Sequence, residues 1–330
     1  MASAASAVVT LDPVYDDYIK QAKSTPFPSI SNGEITIQEL RATIEQGYVS
    51  QQLPVIIEED RTVAYKDTEL RLTLFRPLGT ENEVLPCGIF YHGGGWVFCS
   101  KRTHGKPVRD ICINNHVAIV FVNYSLAPEV KFPVINEECF LALQWVLENG
   151  KSINVDTSKL AVIGDSAGGH LATTTALMAK EHGLDRAIKA QIIIYPVTAP
   201  TREHYESNKL YGTGSDFVTV KKDDAAFFDE IYIPNHAKSN KLAFPLLATV
   251  DELQNLPPAL LVTAEADAHR DEGEEYAHKL LEAGVITCAV RILGAIHGFF
   301  SFPLKKTPAY RQTQALITQQ LNEAFGEKEL

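Results

Sequence analysis

The chain has 330 residues, 45% of them hydrophobic, and a formal net charge of −11. That supports one large α/β domain with an accessory subdomain, or two ordinary domains, and it excludes wholesale disorder. The acidic balance argues against nucleic acid and anionic membrane surfaces as partners, because both require basic patches.

Residues 1–56 carry helical periodicity and no strand character. Tyr15, Tyr18 and Ile19 fall near helical spacing, as do Leu40, Ile44 and Tyr48, and Pro26 and Pro28 break the segment in two. Two alternating runs follow, Arg61–Asp67 and Glu69–Pro77, and they predict a hairpin. Short, nearly continuous apolar runs then recur at Cys87–His92, Ala118–Tyr124, Leu160–Ile163, Ala190–Tyr195, Ala259–Thr263 and Thr287–Leu293. Such runs suit strands buried on both faces of a parallel sheet. Helical stretches at Glu137–Glu148, Ala167–His182 and Gly273–Ala283 separate several of them, so the pattern predicts a doubly wound α/β domain. Residues 200–245 interrupt the alternation. They are rich in aromatics (Tyr205, Tyr211, Phe217, Phe227, Phe228, Tyr232 and Phe244) and have the character of an insertion between two core strands.

Four places carry chemistry. Gly164-Asp165-Ser166-Ala167-Gly168 is a GxSxG pentapeptide between the run Leu160–Ile163 and a helical pattern. That is the context of a nucleophile elbow, in which a serine sits on a sharp strand-to-helix turn flanked by small residues. The turn would set the Ser166 hydroxyl at a helix N-terminus, where the partial positive charge favours a developing oxyanion. Directly after the strand ending at Tyr91 comes His92-Gly93-Gly94-Gly95-Trp96. Glycines there let backbone N–H groups approach a carbonyl oxygen as it gains charge. Gly93 and Gly94 are the candidate oxyanion donors with Ala167, and Gly95 is a substitute for either glycine. His92 is expected to hold this loop in shape.

A serine nucleophile needs a base and an acid, and an elbow of this kind takes them in the order Ser, Asp/Glu, His. Asp267 follows the run Ala259–Thr263, and His297 follows Thr287–Leu293. Both lie just past the C-terminal ends of strands, where open α/β sheets place their sites. Among rivals, Glu265 reads as a partner of nearby backbone, and Asp271 and Glu272 as acids of a first helical turn. His104, His116, His170, His182, His204, His236, His269 and His278 lack strand-end placement and read as surface or packing histidines.

HGGGW, YSLAPE (Tyr124–Glu129), GDSAGG (Gly164–Gly169), DAHRDEGEEYA (Asp267–Ala277) and HGF (His297–Phe299) occur in this order from about residue 87 to 300. Together they resemble the hormone-sensitive-lipase-like esterases of the α/β-hydrolase fold. The resemblance implies a mostly parallel central sheet with helices on both faces in a single domain spanning 1–330. It implies a helical cap built from about 1–56 and about 200–245. It also implies a carboxylic ester hydrolase with a Ser166–Asp267–His297 triad, no cofactor and a small-molecule ester as substrate. Trp96 and Phe98, beside the glycine loop, are expected to line the acyl and alcohol channels. Cys99 stands where the family commonly has glycine, Ala268 and His269 replace its usual Pro-Leu, and Val134-Ile135-Asn136 replaces smaller residues. These departures bear on pocket shape and remove no catalytic group. The same triad would serve a lactonase or an amidase, and a non-catalytic receptor on this fold is disfavoured by the presence of His297.

The five cysteines are odd in number and show no metal-binding spacing, so reduced thiols in the cytoplasm and no metal are expected. The first residues have no basic region of a signal peptide, and no apolar run approaches a membrane span, so no membrane association is expected. A homodimer stays open as the oligomeric state.

Overall fold

The computed structural model of the chain describes residues 9–24, 28, 30, 33–212, 228–304 and 307–326. Pro26, Phe217 and Phe227 lie outside the described residues. Eight strands are found among the rest: β1 (Ile57–Tyr65), β2 (Thr68–Arg76), β3 (Leu85–Tyr91), β4 (Ala118–Val122), β5 (Val155–Asp165), β6 (Ile188–Ile194), β7 (Ala259–Ala266) and β8 (Thr287–Ile296). They form one sheet in the order β1-β2-β4-β3-β5-β6-β7-β8. β1 and β2 make the predicted hairpin, with Tyr65 paired to Thr68 and Lys66 at a positive φ in the turn. β2 also runs antiparallel to β4, and the remaining pairs are parallel.

Alternation along the strands feeds two cores, one on each face. Leu72, Ile89, Val120, Val162, Ile193 and Leu261 face one layer. It is built by α4 (Val134–Asn149), α5 (Ala167–Glu181) and the helix Arg270–Glu282. Phe75, Phe90, Phe121, Ile163, Ile192 and Val262 face the other layer, which includes α3 (Gly105–Asn114) and the helix Pro308–Phe325. α5 lies against the middle of the sheet, and every residue from Ala167 to Ala179 is buried. That explains its small-residue run, which lets the helix approach the strands closely.

Two features differ from the sequence expectation. Helices Gly105–Asn114 and Pro308–Phe325 were not foreseen, although Thr307 caps the second, Pro308 opens it and Gly326 closes it with φ 73°. β8 was expected to be buried on both faces but is the edge strand. Its Leu293 is 72% exposed, and most of its first seven residues are exposed or half-buried.

Among the described residues before β1 there are two helices, α1 (Pro13–Ser24) and α2 (Ile37–Gln46), in keeping with the periodicity of the segment. α2 opens with a capping box between Thr36 and Glu39. Tyr15 of α1 is fully buried and shares a hydrogen bond with Thr307, while Tyr18 packs on Phe302. α2 docks on the chain that continues the glycine loop, chiefly through Arg41. In the interrupting region, α6 (Glu206–Tyr211) and a short helix at 228–232 are described. Among the described residues, no helix is long and apolar enough to cross a membrane.

Candidate active site

Ser166 sits between the end of β5 and the start of α5 with φ 55° and ψ −120°. A non-glycine residue in this region is strained, so the surrounding chain must hold it there. The glycines explain how. A Cβ on Gly164 would come within 2.1 Å of the Gly168 carbonyl oxygen, and one on Gly168 within 2.0 Å of the Tyr91 oxygen. The pentapeptide therefore closes only with glycine at both ends. Ser166 donates its backbone N–H to Ile194, and its carbonyl accepts from His170, which fixes the turn on both sides.

Asp267 follows β7 and His297 follows β8, as expected. The Ser166 Oγ lies 2.8 Å from His297 Nε2, and His297 Nδ1 lies 2.8 Å from Asp267 Oδ2. A carboxylate only accepts, so Nδ1 carries the hydrogen and Nε2 is left to accept the serine proton. Asp267 is buried, and its other oxygen accepts the His269 N–H at 2.8 Å. Burial alone would lower the His297 pKa. The Asp267 charge and hydrogen bond, with smaller contributions from Asp165 and Glu272, outweigh it and leave the pKa raised. Burial alone would raise the Asp267 pKa, and the His297 charge and hydrogen bond bring it below the usual carboxylate value.

The glycine loop requires a correction. Gly93 donates its N–H to Asp165 Oδ1 at 2.9 Å, with His104 Nε2 also within 3.3 Å, so it is not available to an oxyanion. The N–H groups of Gly94 and Gly95 have no hydrogen-bond partner among the described residues. Ala167 is the first residue of α5, where a helical N–H has no partner within the helix. Gly94 and Gly95 have φ of 120° and 56°, and a Cβ on Gly94 would meet the Phe98 oxygen at 2.1 Å. His92 plays the structural part expected of it. It is stacked between Phe121 and Tyr124, its Nδ1 faces the Gly93 oxygen, and burial, followed by the nearby His104, pushes its pKa down to about 3.

Trp96 also departs from expectation. Its φ of 61° turns the indole inward, where it is 1% exposed, stacks on Tyr232 and donates Nε1–H to His170. It is a packing residue. Phe98 is half-buried and meets Phe228 edge-on at a 5.2 Å centroid distance. Phe228 stands beside Gly95, 3.4 Å from where a Cβ would be.

Several residues near the centre were not singled out from sequence. Asp165 pairs with His104 at 3.0 Å in a site where both are buried, and Tyr195 donates its hydroxyl to the same carboxylate. His104 is thus an internal partner of the glycine loop rather than a general packing histidine. Tyr195 also packs against the His297 ring. Glu265 accepts the Gly294 N–H at 2.7 Å, in agreement with its reading as a backbone partner. Glu272 belongs to a first helical turn but is fully buried, and it is bound by Ala199, Arg202 and His269. Among the described residues, no group of three or more His, Cys, Asp or Glu side chains could hold a metal ion.

The chain matches the α/β-hydrolase-fold family over residues 88–301, which spans the glycine loop, the elbow and both strand-end residues. It belongs to the hormone-sensitive-lipase-like esterase family of that fold. One of two fungal esterases from Rhizomucor miehei is 44% identical and superposes with a TM-score of 0.90, covering 96% of this chain and 98% of that one. An arylesterase from Saccharolobus solfataricus is 32% identical over 82% of this chain and 85% of its own length. The carboxylesterase NlhH of Mycobacterium tuberculosis is 31% identical over 88% of this chain and 91% of its own.

Proposed function

We propose that this carboxylesterase cleaves esters of short or medium acyl chain through an acyl-enzyme on Ser166. The observation that carries the reading is the hydrogen-bonded line from Ser166 Oγ through His297 to Asp267, with 2.8 Å at each step. In this mechanism Ser166 Oγ attacks the ester carbonyl while His297 Nε2 takes its proton. The carbonyl oxygen becomes an oxyanion and is held by the N–H groups of Gly94, Gly95 and Ala167. The imidazolium, stabilised by Asp267, gives the proton to the leaving alcohol. Water then attacks the acyl carbon while His297 takes its proton, and as the bond to Ser166 Oγ breaks the imidazolium returns that proton to Oγ and the acid leaves.

The N-terminal helices and residues 200–245 are read as a cap over this centre. Supporting this, α1 packs on the chain just after His297, α2 grips the chain just after the glycine loop, and Phe228 reaches Phe98. An enclosed apolar channel gains about 0.8 kcal/mol for each CH₂ buried until it is full, and then loses by overpacking. Preference for short or medium acyl groups follows, and the odd count of five cysteines suits a reducing cytoplasmic setting.

A fluorophosphonate probe tests the nucleophile. Labelling at Ser166 alone, abolished in Ser166→Ala together with turnover, is the expected result; labelling elsewhere would overturn the assignment. A series of p-nitrophenyl esters tests the channel. Maximal kcat/KM on long acyl chains would refute the cap.

A further inference from the structure

His269 lies two residues past Asp267, at the entry to the helix Arg270–Glu282, and its ring sits 5.2 Å from the His297 ring, tilted by 53°. Its backbone N–H binds Asp267, and its Nδ1 binds the Glu272 carboxylate. Glu272 is fully buried and also accepts from Ala199 N–H and Arg202. Arg202 in turn pairs with Asp229 in the interrupting region. One guanidinium therefore sits between two carboxylates, and that trio carries one net negative charge. Glu272 is close enough to contribute to raising the His297 pKa. Nδ1 faces an acceptor-only carboxylate, so it bears a hydrogen whatever the state of the ring. His269 is the one group of this cluster besides Arg202 that can take up a positive charge, by a second proton on Nε2, against the Glu272 carboxylate.

We propose that His269 is a positioning residue: paired with Glu272, it braces the His297 ring and the Asp267 carboxylate and shields His297 from the Glu272 charge. The groups that face His297 are Asp267, Asp165, Glu272, the Tyr195 ring and His269 itself. The first three favour the imidazolium, which is useless as a base. His269 is the group among them that can carry an opposing positive charge. The shield keeps the base neutral, and so active, to a lower pH than the carboxylates alone would allow. In the residue order this histidine reads as a surface or packing residue; the fold brings it to the His297 ring at the start of a helix.

This inference rests on His297 being the general base. The test is the acid limb of kcat/KM on a p-nitrophenyl ester for wild type, His269→Leu, His269→Gln and His297→Ala. His269→Leu removes both brace and charge. Its acid limb moves to higher pH by about two units, the size expected of one charge at the 5.2 Å ring separation and an effective dielectric near 20, and its plateau kcat falls. His269→Gln keeps a donor for Glu272 without the charge. Its plateau recovers toward wild type while its acid limb stays shifted. A limb unmoved in both variants, whatever happens to the plateau, overturns the shield and leaves the His297 assignment standing. Substantial activity in His297→Ala, or a wild type with no acid limb, overturns the base assignment and this inference with it.

Discussion

Gly93 donates its backbone N–H to Asp165, the residue immediately before Ser166, at 2.9 Å. The bond ties the start of the glycine loop to the end of β5 and sets where the next two amides stand. A Cβ on Gly93 would come within 2.8 Å of the Asp165 carbonyl oxygen and 2.9 Å of its carboxylate, so the approach itself requires glycine. Asp165 is held as an anion in a buried place. Burial raises its pKa, but the charge and hydrogen bond of His104, together with the Gly93 N–H, bring the net value below that of an ordinary carboxylate.

Asp165→Ala removes the anchor of the loop and strands a buried His104. Removing one member of a buried hydrogen-bonded pair and leaving the other unsatisfied typically costs about 1–3 kcal/mol of stability. A loosened oxyanion loop should also lower kcat by about 100-fold, the scale of losing one donor. Chemical denaturation and steady-state kinetics on the same preparation check both. A variant with wild-type kcat would show that the loop holds its shape without this carboxylate.

Asp267 and Glu265 are two residues apart, and the structure gives them different work. Asp267 binds the imidazole, while Glu265 binds the Gly294 backbone. Asp267→Asn should lower kcat by about 10⁴ through loss of the correct tautomer and of imidazolium stabilisation. Glu265→Gln keeps an acceptor for Gly294 and should cost far less. If Glu265→Gln were the more damaging change, the acid would have to be reassigned.

Much of this was legible in the residue order because it depends on local rules. Gly164 and Gly168 flank Ser166 for steric reasons that any GxSxG turn shares, and Asp267 and His297 sit just beyond apolar runs that had to be strands. The expected chain order of acid and base then left few candidates. What was not legible depends on contacts between distant segments. Gly93 and Gly95 are chemically identical in sequence, and only the position of the Asp165 side chain decides which amide stays free. Trp96 lies beside the loop in sequence, but three successive positive φ values, at Gly94, Gly95 and Trp96, turn its indole into the core. β8 has the apolar composition of an inner strand yet ends the sheet, since strand order is not written in any one strand. His104 and His269 became informative only when the fold brought them to Asp165 and His297.

The pH dependence follows from the charges around His297. Burial acts to lower its pKa, but Asp267 leads a set of carboxylates that raises it above the ordinary histidine value of about 6.5. The proposed mechanism needs the neutral ring. kcat/KM should therefore fall as pH drops through a midpoint above 6.5 and should level off on the alkaline side, reporting the free enzyme. In Asp267→Asn the leading raising contribution is gone, so the residual activity should titrate with a lower midpoint. A wild-type midpoint clearly below 6.5 would contradict the geometry.

Arg41 on α2 connects the N-terminal segment to the glycine loop. Its Nε donates to the Val97 carbonyl at 2.7 Å, and its Nη2 donates to the Ala127 carbonyl at 2.8 Å. Both terminal nitrogens also bind Glu129 at 2.8 Å. The gripped chain is itself tied to the loop: the Val97 and Phe98 N–H groups bind the Gly94 oxygen, and Ala127 N–H binds the Trp96 oxygen. One guanidinium thus braces the turn that presents Gly94 and Gly95. A planar fork makes these four contacts together, and a lysine ammonium cannot reproduce them. Arg41→Ala and Arg41→Lys should both lower kcat by about tenfold, equivalent to about 1.4 kcal/mol of transition-state stabilisation. KM should change little, because the loss falls on the oxyanion and not on ground-state binding. Deleting residues 1–50 removes Arg41 together with the buried Tyr15, and turnover or solubility should suffer more than in either point variant. Full-length and truncated proteins compared on one short-chain p-nitrophenyl ester decide the matter. Wild-type kcat in Arg41→Ala would mean that the loop keeps its geometry without α2, and an unaffected truncation would mean that the N-terminal helices are no part of the working enzyme.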